Sequence, residues 1–344
     1  MKHYNIPIFI VHYGCPHMCV FCNQQNITGV ITNIQPNEIR AIIEETLKTL
    51  PKNSEKEIAF FGGTFTGLPI KLQTEFLEVA NEYIKKGLVN GIRMSTRPDY
   101  INREILDNLS KYNVTTIELG VQSFNTEVLK LSERGHSRED VFNASELIKE
   151  YGITLGLQIM PGLPGSTIES DIAGIEDILK IMPSLIRIYP TLVLENTKLN
   201  SMYKNEEYQP LSISDAVKIT LPMIIKLELN GIKIIRVGLQ PADDLRKEGV
   251  ITAGPFHSSF REVVESEIYY EFLNIILKKE KELNVITNQS NISRIVGMNK
   301  VNLKKFNGKL NFNIDNSLEK ELILVNKKSY KRKNILMALE MNNI

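Results

Sequence analysis

Gly14-Cys15-Pro16-His17-Met18-Cys19-Val20-Phe21-Cys22-Asn23 follows directly on an apolar run, residues 6–12, that carries Ile6, Ile8, Phe9, Ile10 and Val11. Such a run, with little alternation, suits a strand covered on both faces. The strand thus ends in a loop holding all three cysteines of the 344-residue chain, spaced Cys-x3-Cys-x2-Cys. Whether this pattern of strand and chemically unusual loop recurs decides the fold.

It recurs. Pro36 opens a helix whose Ile39, Ile42, Ile43, Leu47 and Leu50 share one face, and Pro51 stops it. A strand over residues 57–61 leads into Gly62-Gly63-Thr64-Phe65-Thr66-Gly67, and a helix from Pro69 buries Leu72, Phe76, Val79, Ala80 and Tyr83. Strand 92–95 ends in Thr96-Arg97-Pro98-Asp99 before a helix over 102–110. Strand 115–119 precedes Gly120-Val121-Gln122-Ser123, and two helical pieces then break at Arg134-Gly135-His136. Strand 153–159 ends in Met160-Pro161-Gly162, helix 168–181 follows, and strand 185–189 ends in Pro190-Thr191-Leu192.

Six strand–helix alternations without hairpin signals imply a parallel sheet with helices outside. The unusual residues nearly all lie just after strands. In a parallel β/α architecture those ends share one face, where sites are built. The expected fold is therefore an α/β, incomplete (β/α)6 parallel barrel with a small C-terminal α/β appendage. Residues 1–240 would form the core domain. Residues 241–344 would form the extension, helical around 259–279 and then small and basic.

Composition is that of an ordinary globular protein, with 42% apolar and 24% charged residues. The chain opens on Met1-Lys2-His3 without the apolar core of a signal peptide, and no apolar run is long enough to span a bilayer. An odd cysteine count gathered in one loop suits a reducing compartment and a metal or redox site, hence a cytoplasmic protein with no membrane partner. Residues 281–344 hold 12 Lys and Arg against 5 Asp and Glu, so the net charge of +1 hides a basic end on a slightly acidic body. That asymmetry suits either an anionic partner such as RNA or a solvated surface. Residues 327–333, Lys-Lys-Ser-Tyr-Lys-Arg-Lys, mix charge with an aromatic ring as RNA contacts do, and a charged solvated helix gives the same letters.

Three thiolates leave two chemistries open. Cys15, Cys19 and Cys22 with His12 or His17 would complete a zinc site. Alternatively they hold an iron–sulfur cluster, which normally takes four cysteines, and leave one iron open to an outside ligand.

The Cys15-x3-Cys19-x2-Cys22 pattern, with Phe21 just before the third cysteine, resembles the signature of radical S-adenosylmethionine enzymes. That resemblance implies a [4Fe–4S] cluster whose open iron chelates S-adenosylmethionine. Electron transfer, fed by an external electron donor, would then cleave the cofactor to methionine and a 5′-deoxyadenosyl radical. Gly62-Gly63-Thr64-Phe65 looks like the family's glycine-rich turn that meets the methionine amino group, although the family more often has Glu where Thr64 stands. Thr96–Asp99, Glu118–Ser123, Arg134–His136, Met160–Gly165 and Arg187–Val193 are similar to the radical domain of the catalytic subunit of Elongator, which modifies the wobble uridine of tRNA. The likeness spans about residues 6–240, with weaker likeness through Ile235-Arg236-Val237 and residues 257–262. The remaining chain is too short for the acetyltransferase domain of that subunit. The function implied is reductive cleavage of S-adenosylmethionine and hydrogen abstraction from an unidentified substrate, with tRNA or another RNA-related molecule as the candidate. The alternative is a non-catalytic, cluster- and haem-binding chaperone-like protein.

Within this reading Phe21, Gly62, Gly63, Thr64, Phe65, Glu118, Gln122 and Met160 are the candidate cofactor contacts. Arg97 suits a carboxylate ligand or an ion pair with Asp99. Arg134 and His136 suit contact with an anionic substrate but read better as a helix-breaking surface turn, Tyr189 suits a radical-relay or substrate contact but reads better as a packed core residue, and His257 is an outlying site candidate.

Overall fold

The structure is a computed structural model, described over residues 2–11, 13–15, 18–23, 34–239 and 249–344. His12 and His17, on which the zinc alternative rests, lie outside the described residues.

The expected strands are β1 (His3–Phe9), β2 (Glu55–Phe61), β3 (Gly91–Thr96), β4 (Val114–Gln122), β5 (Thr154–Ile159) and β6 (Leu185–Ile188). They pair in sequence order, all parallel. After a short β7 (Val193–Leu194), β8 (Lys233–Val237) adds a seventh parallel strand beside β6. β1 and β8 are the two edges of the sheet, so it is an open half-barrel.

The helices form where the apolar period places them. Pro36–Thr49 buries Ile39 and Ile43, four residues apart and hence on one face, and Ile70–Lys85 buries Phe76, Leu77, Val79, Ala80 and Tyr83. Arg103–Leu109 starts at Asn102, whose side chain accepts the Ile105 N–H at 2.9 Å and satisfies one of the helix's unpaired amides. Burying each such Ile or Leu contributes about 1.5–3 kcal/mol before chain entropy is set against it.

β4 runs farther than its apolar letters indicate. Its pairing with β5 shifts register between Gly120 and Gln122, and Gln122 sits at φ +67. A bulge of this kind re-aims a side chain at the end of a strand. Here it delivers Gln122 to the sheet's carboxyl-terminal face.

The C-terminal sheet contains β10 (Leu283–Thr287), β11 (Leu310–Ile314), β12 (Leu322–Val325) and β13 (Lys328–Lys331), in the order β11-β10-β12-β13. Helix Phe260–Leu277 packs between this sheet and the barrel, with Phe272 edge-on to Tyr330 at 5.0 Å. Residues 327–333 are not one charged helix. Asn326 and Lys327 both take positive φ and turn a hairpin between β12 and β13, and helix Arg332–Met341 begins straight after. Arg332 is not a surface cation either: its guanidinium holds Glu228 at 3.0 Å and Glu265 at 2.7 Å. No described helix is long and apolar enough to cross a membrane.

Candidate active site

Loops at the carboxyl ends of β1 to β6 enclose a cavity of about 310 Å³. Cys15, Cys19 and Cys22 line it, together with Phe21, Gly62, Gly63, Thr64, Glu118, Gln122 and Met160. Residues spread over almost 150 positions of sequence thus meet because each follows its own parallel strand. Phe65 is the exception. Its ring is fully buried in the core, 4.8 Å from the ring of Phe60, and is not part of the cavity wall.

The cysteine loop is locked onto the glycine turn by backbone. Thr64 N–H donates to Tyr13 O at 3.0 Å, and Ile10 N–H to Phe61 O at 2.8 Å. A Cβ on Gly63 would lie 2.3 Å from Ile10 O and 2.6 Å from Tyr13 O, and one on Gly14, at φ +74, 2.2 Å from Thr64 O. These glycines are therefore required by the packing of one loop on the other. Farther along, Val20 is tied to both sides, through its N–H to Ser132 O and its carbonyl from Leu199 N–H.

Two thiols have polar neighbours. The Thr64 hydroxyl is 3.2 Å from Cys15 Sγ, and Arg134 Nη1 donates to Cys19 Sγ at 3.4 Å. Arg134 also donates through Nη2 to Gly120 O at 2.6 Å. The surface turn expected of Arg134 and His136 is thus corrected: both are buried, and Arg134 lines the cavity. His136 Nε2 bonds the carbonyl of Val121 at 3.1 Å. Burial, aided by the charges of Arg134 and Arg97, pushes the His136 imidazole down to about 3, so it is neutral at ordinary pH.

Below the cysteines lies a buried charge cluster. Glu118, 3% exposed, pairs with Arg187 through both oxygens and with Arg93 Nη2 at 3.0 Å. Burial works against the Arg187 charge, but Glu118 outweighs it and holds the guanidinium above its ordinary value. Arg187 also donates to the Tyr189 hydroxyl at 3.1 Å, which makes Tyr189 a wall residue of the cavity rather than a core one. Gln158 donates to Gln122 Oε1 at 3.2 Å. Arg97 is paired with Asp99 at 2.8 and 2.9 Å, and it also borders the cavity. The Met160 loop is pinned by Asp171, which accepts Gly162 N–H at 2.8 Å and which burial pushes up to about 6. His257 lies apart from this cavity.

Arg187, Gln158 and Arg93 were not singled out in the sequence. Their signal was available: each is a polar residue inside a strand whose neighbours are buried and apolar, a placement that needs a partner or a ligand.

The donor set, three thiols lining one cavity, is of the kind an iron–sulfur cluster takes. A cuboidal cluster spreads its thiolates over separate corners, so it requires that kind of arrangement. Arg134 places positive charge beside one of the three sulfurs, that of Cys19.

A half-barrel with three cysteines and a glycine turn at the carboxyl ends of its strands defines a class of cofactor-dependent proteins. The chain belongs to the radical SAM superfamily, which matches residues 9–176, with the Radical_SAM C-terminal domain matching residues 183–270. That superfamily works with a [4Fe–4S] cluster and S-adenosylmethionine. The chain is 32% identical over 245 residues to the tRNA uridine(34) acetyltransferase of Methanocaldococcus infernus, covering 60% of this chain and 46% of that protein. It is 29% identical over 252 residues to human Elongator complex protein 3, covering 60% and 46%. The chain thus spans about half the length of these curated relatives. The structure of the archaeal Methanocaldococcus infernus Elp3 with an N-terminal deletion superposes with a TM-score of 0.64 at 27% identity, covering 78% of this chain and 63% of that one.

Proposed function

We propose that Cys15, Cys19 and Cys22 hold a [4Fe–4S] cluster with one open iron, and that S-adenosylmethionine binds beside it in the 310 Å³ cavity. When bound, the pair supplies reductive cleavage of S-adenosylmethionine for hydrogen abstraction from a substrate. Gly62, Gly63 and Thr64 present backbone to the methionine end of the cofactor. Arg134 offers a buried positive charge to its carboxylate. Glu118, inside β4, and Gln122, at its end, would meet its ribose, and Phe21 and Met160 would wall the cavity with apolar surface that keeps water out. Within the Arg93–Glu118–Arg187 cluster the Glu118 carboxylate acts as a hydrogen-bond acceptor. The substrate in this reading is an RNA-linked group, which the similarity to an archaeal tRNA uridine(34) acetyltransferase supports.

The observation that carries the reading is that all three cysteines and Gly62, Gly63 and Thr64 line one cavity. The test is anaerobic reconstitution followed by reductant and S-adenosylmethionine. Formation of 5′-deoxyadenosine is expected. An intact cluster that yields none, or that binds haem instead, sinks the enzyme reading.

A further inference from the structure

A second cavity, about 400 Å³, opens beside the first at the end of β8. Arg236, His257, Ser258, Ser259 and Arg261 line it, and no carboxylate is among its described lining residues. The two cavities are joined by a low apolar sill. Pro190, Leu192 and Leu239 belong both to the cysteine cavity and to the sill, while His257 and Phe260 belong both to the sill and to the second cavity.

The donors here are fixed in a particular way. His257 Nδ1 accepts the Ser259 N–H at 3.0 Å, so a neutral ring carries its proton on Nε2 and donates from there. The Ser259 hydroxyl makes no capping bond to the helix that follows it. Among the described residues, the carboxylates facing Arg261 are distant, Glu265 at 3.9 Å and Glu228 at 4.0 Å, and its Nη1 donates to Ile234 O at 3.1 Å. Arg332 already grips those two at 2.7 and 3.0 Å. The Arg261 charge is therefore weakly compensated within the protein. Guanidinium, imidazole and hydroxyl donors from several directions match the three acceptor oxygens of a phosphate better than the two of a carboxylate.

We propose that this cavity is a phosphate subsite for the substrate. It takes the phosphate of a nucleotide unit whose base or sugar reaches over the Pro190–Leu239 sill toward the cysteines. This rests on the radical reading for what happens across the sill, but not for the binding itself. The phosphate belongs to an RNA strand or to a free phosphate ester, and both present the same oxygens.

The test is equilibrium binding to the holoprotein of two probes, UMP and an anticodon stem–loop RNA, with Arg261→Gln/His257→Ala and with Lys111→Gln. Lys111 is exposed and lies before β4, at the opposite end of the strand from the cavities. The double variant should weaken binding about tenfold or more, since a hydrogen bond to a charged group is worth about 1.5–3 kcal/mol. Lys111→Gln should bind as the parent does, and Arg261→Lys/His257→Gln should recover part of the loss. Weakened UMP binding identifies a free ester as sufficient, and weakening with the RNA alone identifies the strand. If neither probe binds, or if both bind the double variant as tightly as the parent, the subsite is wrong. Absence of 5′-deoxyadenosine with intact probe binding would overturn the radical reading alone.

Discussion

Arg134 Nη1 lies 3.4 Å from Cys19 Sγ while Nη2 of the same guanidinium holds Gly120 O at 2.6 Å. The carbonyl at the end of β4 thereby aims a fixed, always-charged donor at one proposed cluster ligand. Hydrogen bonds and positive charge at cluster sulfurs raise the reduction potential. Arg134→Gln should therefore shift the cluster's midpoint to more negative values, and Arg134→Lys, which keeps the charge but loses the fork, should fall between. Potentiometric titration followed by electron paramagnetic resonance reads this directly. An unchanged midpoint in Arg134→Gln would show that the contact is packing alone.

Thr64 makes the matching contact to Cys15 at 3.2 Å and is buried. Thr64→Val keeps the shape and deletes the hydroxyl. It should retain the cluster's visible absorbance with a smaller negative shift than Arg134→Gln, because a neutral donor is weaker than a charged one. A shift larger than that of Arg134→Gln would reverse this ranking.

Gly63 and Gly87 give opposite outcomes for the same substitution. A Cβ at Gly63 meets backbone oxygens at 2.3 and 2.6 Å, so Gly63→Ala must separate the cysteine loop from the glycine turn. Overpacking of this kind costs about 1–3 kcal/mol and here should also lower iron content on reconstitution. At Gly87 nothing lies within 4 Å, but φ is +66. Gly87→Ala should cost about 1–2 kcal/mol in strain and leave iron binding intact. Iron per chain and urea midpoints distinguish the two. Equal iron content in both variants would remove the packing argument.

Much of this architecture was legible because each strand is a short apolar run and each unusual loop follows one. What stayed hidden was three-dimensional. Arg134-Gly135-His136 carries the letters of an exposed turn, and only the fold of the two helical pieces over β4 buries it. Gln122 reads as a residue beyond the strand, yet the bulge at Gly120 carries the strand through it. Phe65 sits inside a recognisable motif, but its side chain turns to the core because the turn becomes a short helical segment, Phe65–Gly67. At the C-terminus the basic letters of residues 327–333 conceal a hairpin set by the positive φ of Asn326 and Lys327.

His136 makes folding pH-dependent. Its folded value of about 3 is below the ordinary value of 6.5, because burial and neighbouring arginines disfavour the cation. The unfolded chain then binds the proton first. The contribution is fully present above pH 6.5 and is lost as pH falls toward 3. By pH 5 the loss is about 2 kcal/mol. His136→Gln, which keeps a donor for Val121 O, should flatten the change in urea midpoint between pH 7.5 and pH 5 in cluster-free protein. A parent and variant with the same slope would place the sensitivity elsewhere.

Glu118 is the strongest test of the buried cluster. Its two oxygens serve Arg187 and Arg93, and Arg93 is shared in turn with Glu57 at 3.2 Å. Glu118→Gln leaves two guanidiniums in a buried setting with one carboxylate between them. Removing one partner of such a set costs about 3–5 kcal/mol, far more than an exposed pair would. Glu118→Gln/Arg187→Met removes charge of both signs and should recover a large part of that loss, because the surviving Arg93 still has Glu57. The coupling between the two substitutions, read from urea midpoints, should therefore be strongly favourable. S-adenosylmethionine affinity should stay low in the double variant, since the charged acceptor proposed for the ribose is replaced by a weaker neutral one. If stability and affinity recover together, Glu118 serves the fold alone and the cofactor contact belongs to another residue of the cavity.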